Sequence, residues 1–119
     1  MSARTITGNL AADPEVVKAG SVSITKLRVI ENTGEHLGGK GVGHDTPTSH
    51  FVEARFELGE NAAESLHKGD AVIVVGKEHS NSWEDKEGGK QYGRVIDADT
   101  IGVDLSRATA AVTRNAKQE

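Results

Sequence analysis

The stretch ENAAESLHKGDAVIVVG, residues 60–76, changes from helical to strand patterning within a few residues. In its first half Ala62, Ala63 and Leu66 fall on one helical face. Glu60 suits the positive end of a helix, and His67 and Lys68 suit its last turn. Gly69 is placed to end the helix at its C′ position. A short helix is therefore predicted over 60–68. The second half contains AVIVVG, a continuous apolar run of the kind a buried strand shows.

The segments on either side extend this pattern. Residues 4–10 (RTITGNL) are rich in strand formers, with Gly8 marking a bulge or a close backbone approach. A turn is expected at Ala12-Asp13-Pro14. Residues 21–31 (SVSITKLRVIE) give the clearest strand, and alternation puts Leu27 and Val29 inward with Lys26 and Arg28 outward. Residues 32–48 hold five of the fourteen glycines and almost no periodicity, as a long loop does. Strand patterning resumes over 49–57, and the apolar strand is expected over 70–81. Beyond it, residues 83–90 read as a hairpin tip turning at Gly88-Gly89, and 91–105 return as a last long strand. Residues 106–119 shift to Ala, Thr and polar side chains and read as an extended tail. The chain thus divides into a domain over 1–105 and a tail over 106–119.

Five strands with one short helix between the third and fourth is the order of the OB fold, an all-β five-stranded barrel. Other small α+β domains share that count of elements.

A chain of 119 residues suffices for one compact domain. No apolar run approaches the roughly 18–20 residues of a membrane span. Met1-Ser2-Ala3-Arg4 lacks the apolar stretch of a secretory signal, so a cytoplasmic protein away from membranes is expected. With no cysteine, disulfides and thiolate chemistry are excluded. Fourteen Lys and Arg against eighteen Asp and Glu give a formal net charge of -4, whereas nucleic-acid binders are usually basic. The total does not decide the charge of one face.

Enzyme chemistry finds no foothold. The stretch Gly38-Gly39-Lys40-Gly41 lacks the Ser or Thr that follows the lysine of a phosphate loop, and no strand-to-helix context surrounds it. His36, His44, Asp45 and His50 match no established zinc spacing. Neither a catalytic role, a metal nor a cofactor is expected.

Residues 60–76, followed by Trp83-Glu84-Asp85-Lys86-Glu87-Gly88, resemble the bacterial single-stranded DNA-binding protein family. The opening Thr7-Gly8-Asn9-Leu10, with Asp13-Pro14-Glu15, is similar to that family's start, and the likeness runs over about 4–105. Residues 101–114 (IGVDLSRATAAVTR) look like the actinobacterial branch, where a similar segment forms an extra C-terminal strand. The resemblance implies non-catalytic, largely sequence-independent binding of single-stranded DNA in replication, recombination or repair. It also implies a homo-oligomer, expected to be a homotetramer.

Such binding needs aromatic faces for bases and cations along the phosphates, with each stack contributing about 1–3 kcal/mol. Trp83 sits at a polar hairpin, and in the family this position stacks on a base. Phe56 and His50 fall where the family keeps two further stacking aromatics, which leaves Phe51, of opposite parity, to the core. That reading puts Glu53 and Arg55 on the buried side, paired with each other or shifted by a bulge. Lys26 and Arg28 supply outward cations, Lys77 shares a face with Trp83, and Tyr92 shares one with Arg94. Two departures stand out. Residues 32–48 contain no aromatic, and Lys117-Gln118-Glu119 bear no likeness to the family's acidic, hydrophobic-tipped tail. They favour an accessory paralogue that does not recruit repair enzymes through such a tail. The alternative is an OB-fold protein-interaction module with little DNA affinity.

Overall fold

A computed structural model describes residues 2–31, 48–84 and 87–116; at Trp83, Glu84, Lys90, Gln91 and Tyr92 the description is of the backbone. The elements run β1 (Ser2–Leu10), β2 (Glu15–Ala19), β3 (Val22–Glu31), β4 (Ser49–Arg55), α1 (Phe56–Ser65), β5 (Ala71–Glu84) and β6 (Lys90–Val103).

Five of these strands close on themselves. β1 pairs with β5, β5 with β6, β6 in parallel with β4, β4 with β3, and β3 returns to β1. The result is a five-stranded OB barrel with its helix between the third and fourth barrel strands. β2 lies outside the ring as a hairpin on β3.

Closure depends on backbone approach at two glycines. β1 pairs with β5 as far as Asn9 and with β3 from Gly8 onward, so Gly8 is flanked by both neighbours. A side chain there would strike the Ile30 carbonyl oxygen, so the close approach expected of Gly8 is present. The second is Gly76, where the β5–β6 ladder shifts register and a Cβ would meet the Asp97 carbonyl. The bulge increases the local twist and helps two long strands curl around the core.

Ile6, Leu10, Leu27, Val29, Val52, Val72, Val74 and Ile96 point inward and form the core. Leu27 and Val29 are buried while Lys26 and Arg28 are exposed, as alternation in β3 requires. At one end Ala62 and Leu66 of α1 cover the barrel, and Thr25 Oγ1 donates to the Gly59 carbonyl at 2.9 Å. The other end carries charge. The inward-facing Arg4, Glu31, His50, Glu78 and Arg94 meet there, with Arg4–Glu78 at 3.4 Å, Arg4–Glu31 at 3.8 Å, His50–Glu31 at 2.9 Å and Arg94–Glu78 at 3.0 Å.

Several sequence expectations are corrected. β2 was not foreseen, because an exposed edge strand such as EVVKA shows little apolar patterning. The helix runs over 56–65 rather than 60–68, entered directly from β4 at Phe56, whose φ is 60°. His67, Lys68 and Gly69 belong to the next turn. There the Asp70 N–H donates to the His67 carbonyl, the Lys68 N–H donates to Asp13, and Gly69 takes a φ of 93°. In β4 the parity is reversed: His50, Val52 and Ala54 face inward, and Phe51 faces out. Residues 104–116 join no ladder; after a turn at 105–107 they pass beside α1, where the Asn115 amide donates to Glu57 and Asn61. The extra strand expected beyond 105 is therefore not part of this sheet over the described residues. The loop expected over 32–48 lies outside the described residues, Thr48 apart.

Candidate nucleic-acid interface

On the curved outer face of β3, β4, β6 and β5, the ladder aligns outward side chains in rows. One row runs Arg28, Phe51, Val95, His79; the next runs Lys26, Glu53, Asp97, Lys77. Residues directly opposite on a sheet face lie close enough for their side chains to interact. A groove of about 430 Å³ crosses these rows, with Lys26, Phe51, Glu53, Asn81, Arg94 and Val95 among its walls.

Among the described side chains Phe51 is the aromatic of this face. Its neighbours in β4, His50 and Val52, are buried, whereas Phe51 is 53% exposed. Glu53 and Arg55 share its side, which makes that side polar and leaves the ring open for stacking. Arg55 sits at the centre of an ion-pair network, donating through Nη2 to Glu53 at 3.0 Å and through Nη1 to Asp97 at 3.0 Å. His79 Nε2 lies 3.0 Å from the other Asp97 oxygen. The two carboxylates are thus partnered within the face. Lys26, Arg28 and Lys77 have no ion-pair partner among the described residues; Arg28 donates weakly to Ser49 Oγ at 3.4 Å. Partnered acids hold the centre of the face and cations flank it, with Glu15 of β2 opposite Lys26.

The structure brings Lys26, Arg28 and Lys77 onto this one face, as the sequence suggested. Arg94 lines the groove but is tied to Glu78 at the barrel mouth. His50 is corrected in orientation: it is inward-facing, 9% exposed and held by Glu31, which leaves little of its ring open to a base. Phe56 is 67% exposed at the β4–α1 junction, but it does not share His50's side and is not among the groove walls. Trp83 and Tyr92 take ladder positions opposite Gln91 and Ser82; their side chains lie outside the described residues. Of the loop residues weighed as metal ligands, His36, His44 and Asp45 also lie outside them, and no metal-binding group occurs among the described residues.

Sequence reasoning missed Phe51, Arg55 and Asn81. The available signal was the alternation of Phe51 with Glu53 and Arg55, in which two charged residues on one side outweigh one aromatic. Away from the face, the Asp104 carboxyl is held below the ordinary carboxylate range because it accepts bonds from the Ser106 hydroxyl and backbone N–H.

An OB barrel presenting an open ring among unpaired cations is built like the barrels that bind oligonucleotides. Residues 1–104 match the model of the Single-strand binding protein family, and the chain belongs to that family. It is 33% identical over 124 residues to single-stranded DNA-binding protein 2 of Streptomyces coelicolor, covering 96% of this chain and 58% of that one. Against the single-stranded DNA-binding protein of Paenarthrobacter aurescens the identity is 37% over 112 residues, covering 92% of this chain and 66% of the relative. The chain therefore spans less than two thirds of the length of these two relatives. The solved second single-stranded DNA-binding protein of Mycobacterium smegmatis superposes with a TM-score of 0.78 at 26% identity, covering 98% of this chain and all of that one. Among the described residues no helix is long and apolar enough to cross a membrane.

Proposed function

We propose that this protein binds single-stranded DNA, largely without regard to sequence and without catalysing a reaction, through the outer face of β3, β4, β5 and β6. The observation that carries the reading is the half-exposed Phe51 ring, opposite Arg28 in its own row and beside the row that holds Lys26 and Lys77. A ring stacks on any base and cations follow the phosphates, so such a face holds a single strand and tolerates its sequence. Trp83, the single tryptophan, continues the β5 positions of Lys77, His79 and Asn81, and we assign it a second stack.

The protein assembles as a homo-oligomer, a tetramer by family analogy. Two features favour association. β1 pairs only with β5 over residues 2–7, which leaves its other edge open among the described residues. Beside that edge lies an uncharged patch in the rows Thr5–Val75–Thr100 and Thr7–Ile73–Gly102. A role in replication, recombination or repair within the nucleoid follows from the same reading.

Titration with oligo-dT, read by Trp83 emission and by gel shift at low salt, tests the function. Quenching with a shifted band is the expected result. A silent titration with no shift would leave an OB-fold interaction module, for which the carboxylates Glu53 and Asp97 would be natural contacts. Light scattering during size exclusion gives the number of protomers.

A further inference from the structure

We infer that His79 is a proton-dependent cation of the binding face, and that the protein takes up a proton there when it binds single-stranded DNA. Binding is then tighter at about pH 6 than at about pH 8, the range in which a histidine changes charge. This rests on the single-strand reading of the face and adds how that face is regulated.

The ring of His79 stands between two groups that can only accept. Its Nε2 lies 3.0 Å from an Asp97 carboxylate oxygen, and its Nδ1 lies 3.0 Å from the Ser80 carbonyl oxygen. A neutral imidazole has one N–H and serves one of them; the imidazolium has two and serves both. The side chain is 32% exposed, so a proton reaches it from solvent without any opening of the barrel.

The charges around the ring come from several strands. On β5, Lys77 shares its side, while Glu78 points the other way into the barrel mouth, where Arg4 and Arg94 hold it. On β6, Val95 is directly opposite His79, and Asp97 is directly opposite Lys77. On β4, Arg55 donates to the second Asp97 oxygen and to Glu53. On β3, Arg28 ends the row that runs through Phe51 and Val95 to His79. On β1, Ser2 and Ala3 lie opposite Glu78 and Lys77 and bring no charged side chain.

One guanidinium therefore serves two carboxylates, and Arg55, Glu53 and Asp97 together are negative while His79 is neutral. A proton on His79 brings the four groups to zero. Asp97 is then held by a cation on each oxygen, and Lys77, opposite it in the ladder, is left for a phosphate. His79 thus acts through Asp97 and Lys77 as a positioning residue. A polyanion laid on this face favours the protonated ring, and by linkage the protonated ring favours the polyanion to the same extent.

The test measures the affinity of a short oligo-dT with hydroxyl ends, which does not itself titrate between about pH 6 and about pH 8, at constant ionic strength. The unaltered protein is expected to bind about three- to fivefold more tightly at the lower pH, the upper part of the range for one exposed charge pair. Calorimetry near neutral pH, in two buffers of different ionisation heat, should show the proton uptake directly. His79→Gln should bind with the weaker affinity at both pH values and lose the buffer-dependent heat. His79→Arg, charged throughout, should keep the tighter affinity at both. The readout is the ratio between the two pH values within each protein, which a merely structural role of His79 would not move. Equal affinities at the two pH values with no buffer-dependent heat overturn the inference while the single-strand reading stands. A pH dependence that survives in His79→Gln also overturns it, by placing the proton on another group such as His50. So does a His79→Arg variant that still weakens at the higher pH. An unaltered protein that binds oligo-dT at neither pH sinks the single-strand reading itself, and the regulation with it.

Discussion

The salt dependence of binding is where the count of free cations can be checked most directly. On a single strand each neutralised phosphate contributes about -0.7 to the slope of log affinity against log salt. Lys26, Arg28 and Lys77 are the groove-side cations without an acidic partner among the described residues, whereas Arg55 is engaged by Glu53 and Asp97 and Arg94 by Glu78. Counting those three gives a slope of about -2 per barrel. Raising salt from about 50 to about 200 mM changes log salt by about 0.6, so affinity should fall roughly 20-fold. Removing Lys26 and Arg28 together as alanines leaves Lys77, with a slope of about -0.7 and a fall of roughly threefold over the same range. The assay is fluorescence anisotropy of a labelled oligo-dT of about eight nucleotides, within the site size of one OB barrel. A double variant that keeps the full slope would refute the assignment. So would an unaltered protein with a slope near about -3.5, because the paired Arg55 and Arg94 would then be contributing.

Four further outcomes follow from the same structure. Phe51→Ala should weaken oligo-dT binding by about 1–3 kcal/mol without moving the melting temperature, while His50→Ala should lower the melting temperature and spare affinity; the opposite pattern would restore His50 as the stacking residue. Gly8→Val should cost about 1–3 kcal/mol or more in urea unfolding, since its side chain must displace the Ile30 carbonyl. Phe56→Gly relieves a left-handed conformation that costs a side-chain-bearing residue about 1–2 kcal/mol, offset in part by glycine's larger unfolded-state entropy, so a modest rise in melting temperature is expected. In Ser106→Ala the Asp104 carboxyl, followed by NMR titration, should move back up toward the ordinary range. Because its folded value is depressed, whatever it adds to stability is present above the ordinary carboxylate range and is lost as pH falls through the depressed value.

The barrel was legible because its signals are local and strong. AVIVVG marked a strand, although Val72 and Val74 alone of its large side chains are buried while Ile73 and Val75 are exposed, and the alternation in 21–31 put Leu27, Val29, Lys26 and Arg28 on their correct sides. The helix was misplaced by reading Gly69 as its end. A glycine in a turn and a glycine closing a helix can both take positive φ, and one of the bonds that decide between them, from Lys68 to Asp13, comes from another part of the chain. β4 was misread for a different reason. Treating Phe51 as core presumed that aromatic rings go inside, whereas the inward side of β4 is filled by Val52 and Ala54, with His50 at the barrel mouth. The charge cluster there was beyond single-sequence reasoning, because it joins residues as far apart as Arg4 and Arg94, each looking like an ordinary surface charge in its own strand.

The net charge of -4 speaks against a nucleic-acid binder only if the acids share the binding face, and their positions separate the two. Glu31 and Glu78 are held at the barrel mouth by Arg4, Arg94 and His50. Glu57, Glu60 and Glu64 lie exposed on α1, the element that covers the opposite end. Asp13, Asp70 and Asp104 are spent in turns, each accepting a backbone N–H. Among the described residues of β3 to β6 the carboxylates in the two groove rows are Glu53 and Asp97, both bonded to Arg55, and Glu15 of β2 lies opposite Lys26 at the end of one row. With one guanidinium shared by two carboxylates and Glu15 opposite Lys26, the face is mixed in charge rather than strongly positive. Stacking on a ring should then supply the larger share of affinity and phosphate contacts the smaller, which is why a shallow salt slope together with a large Phe51→Ala effect is the signature that this arrangement requires.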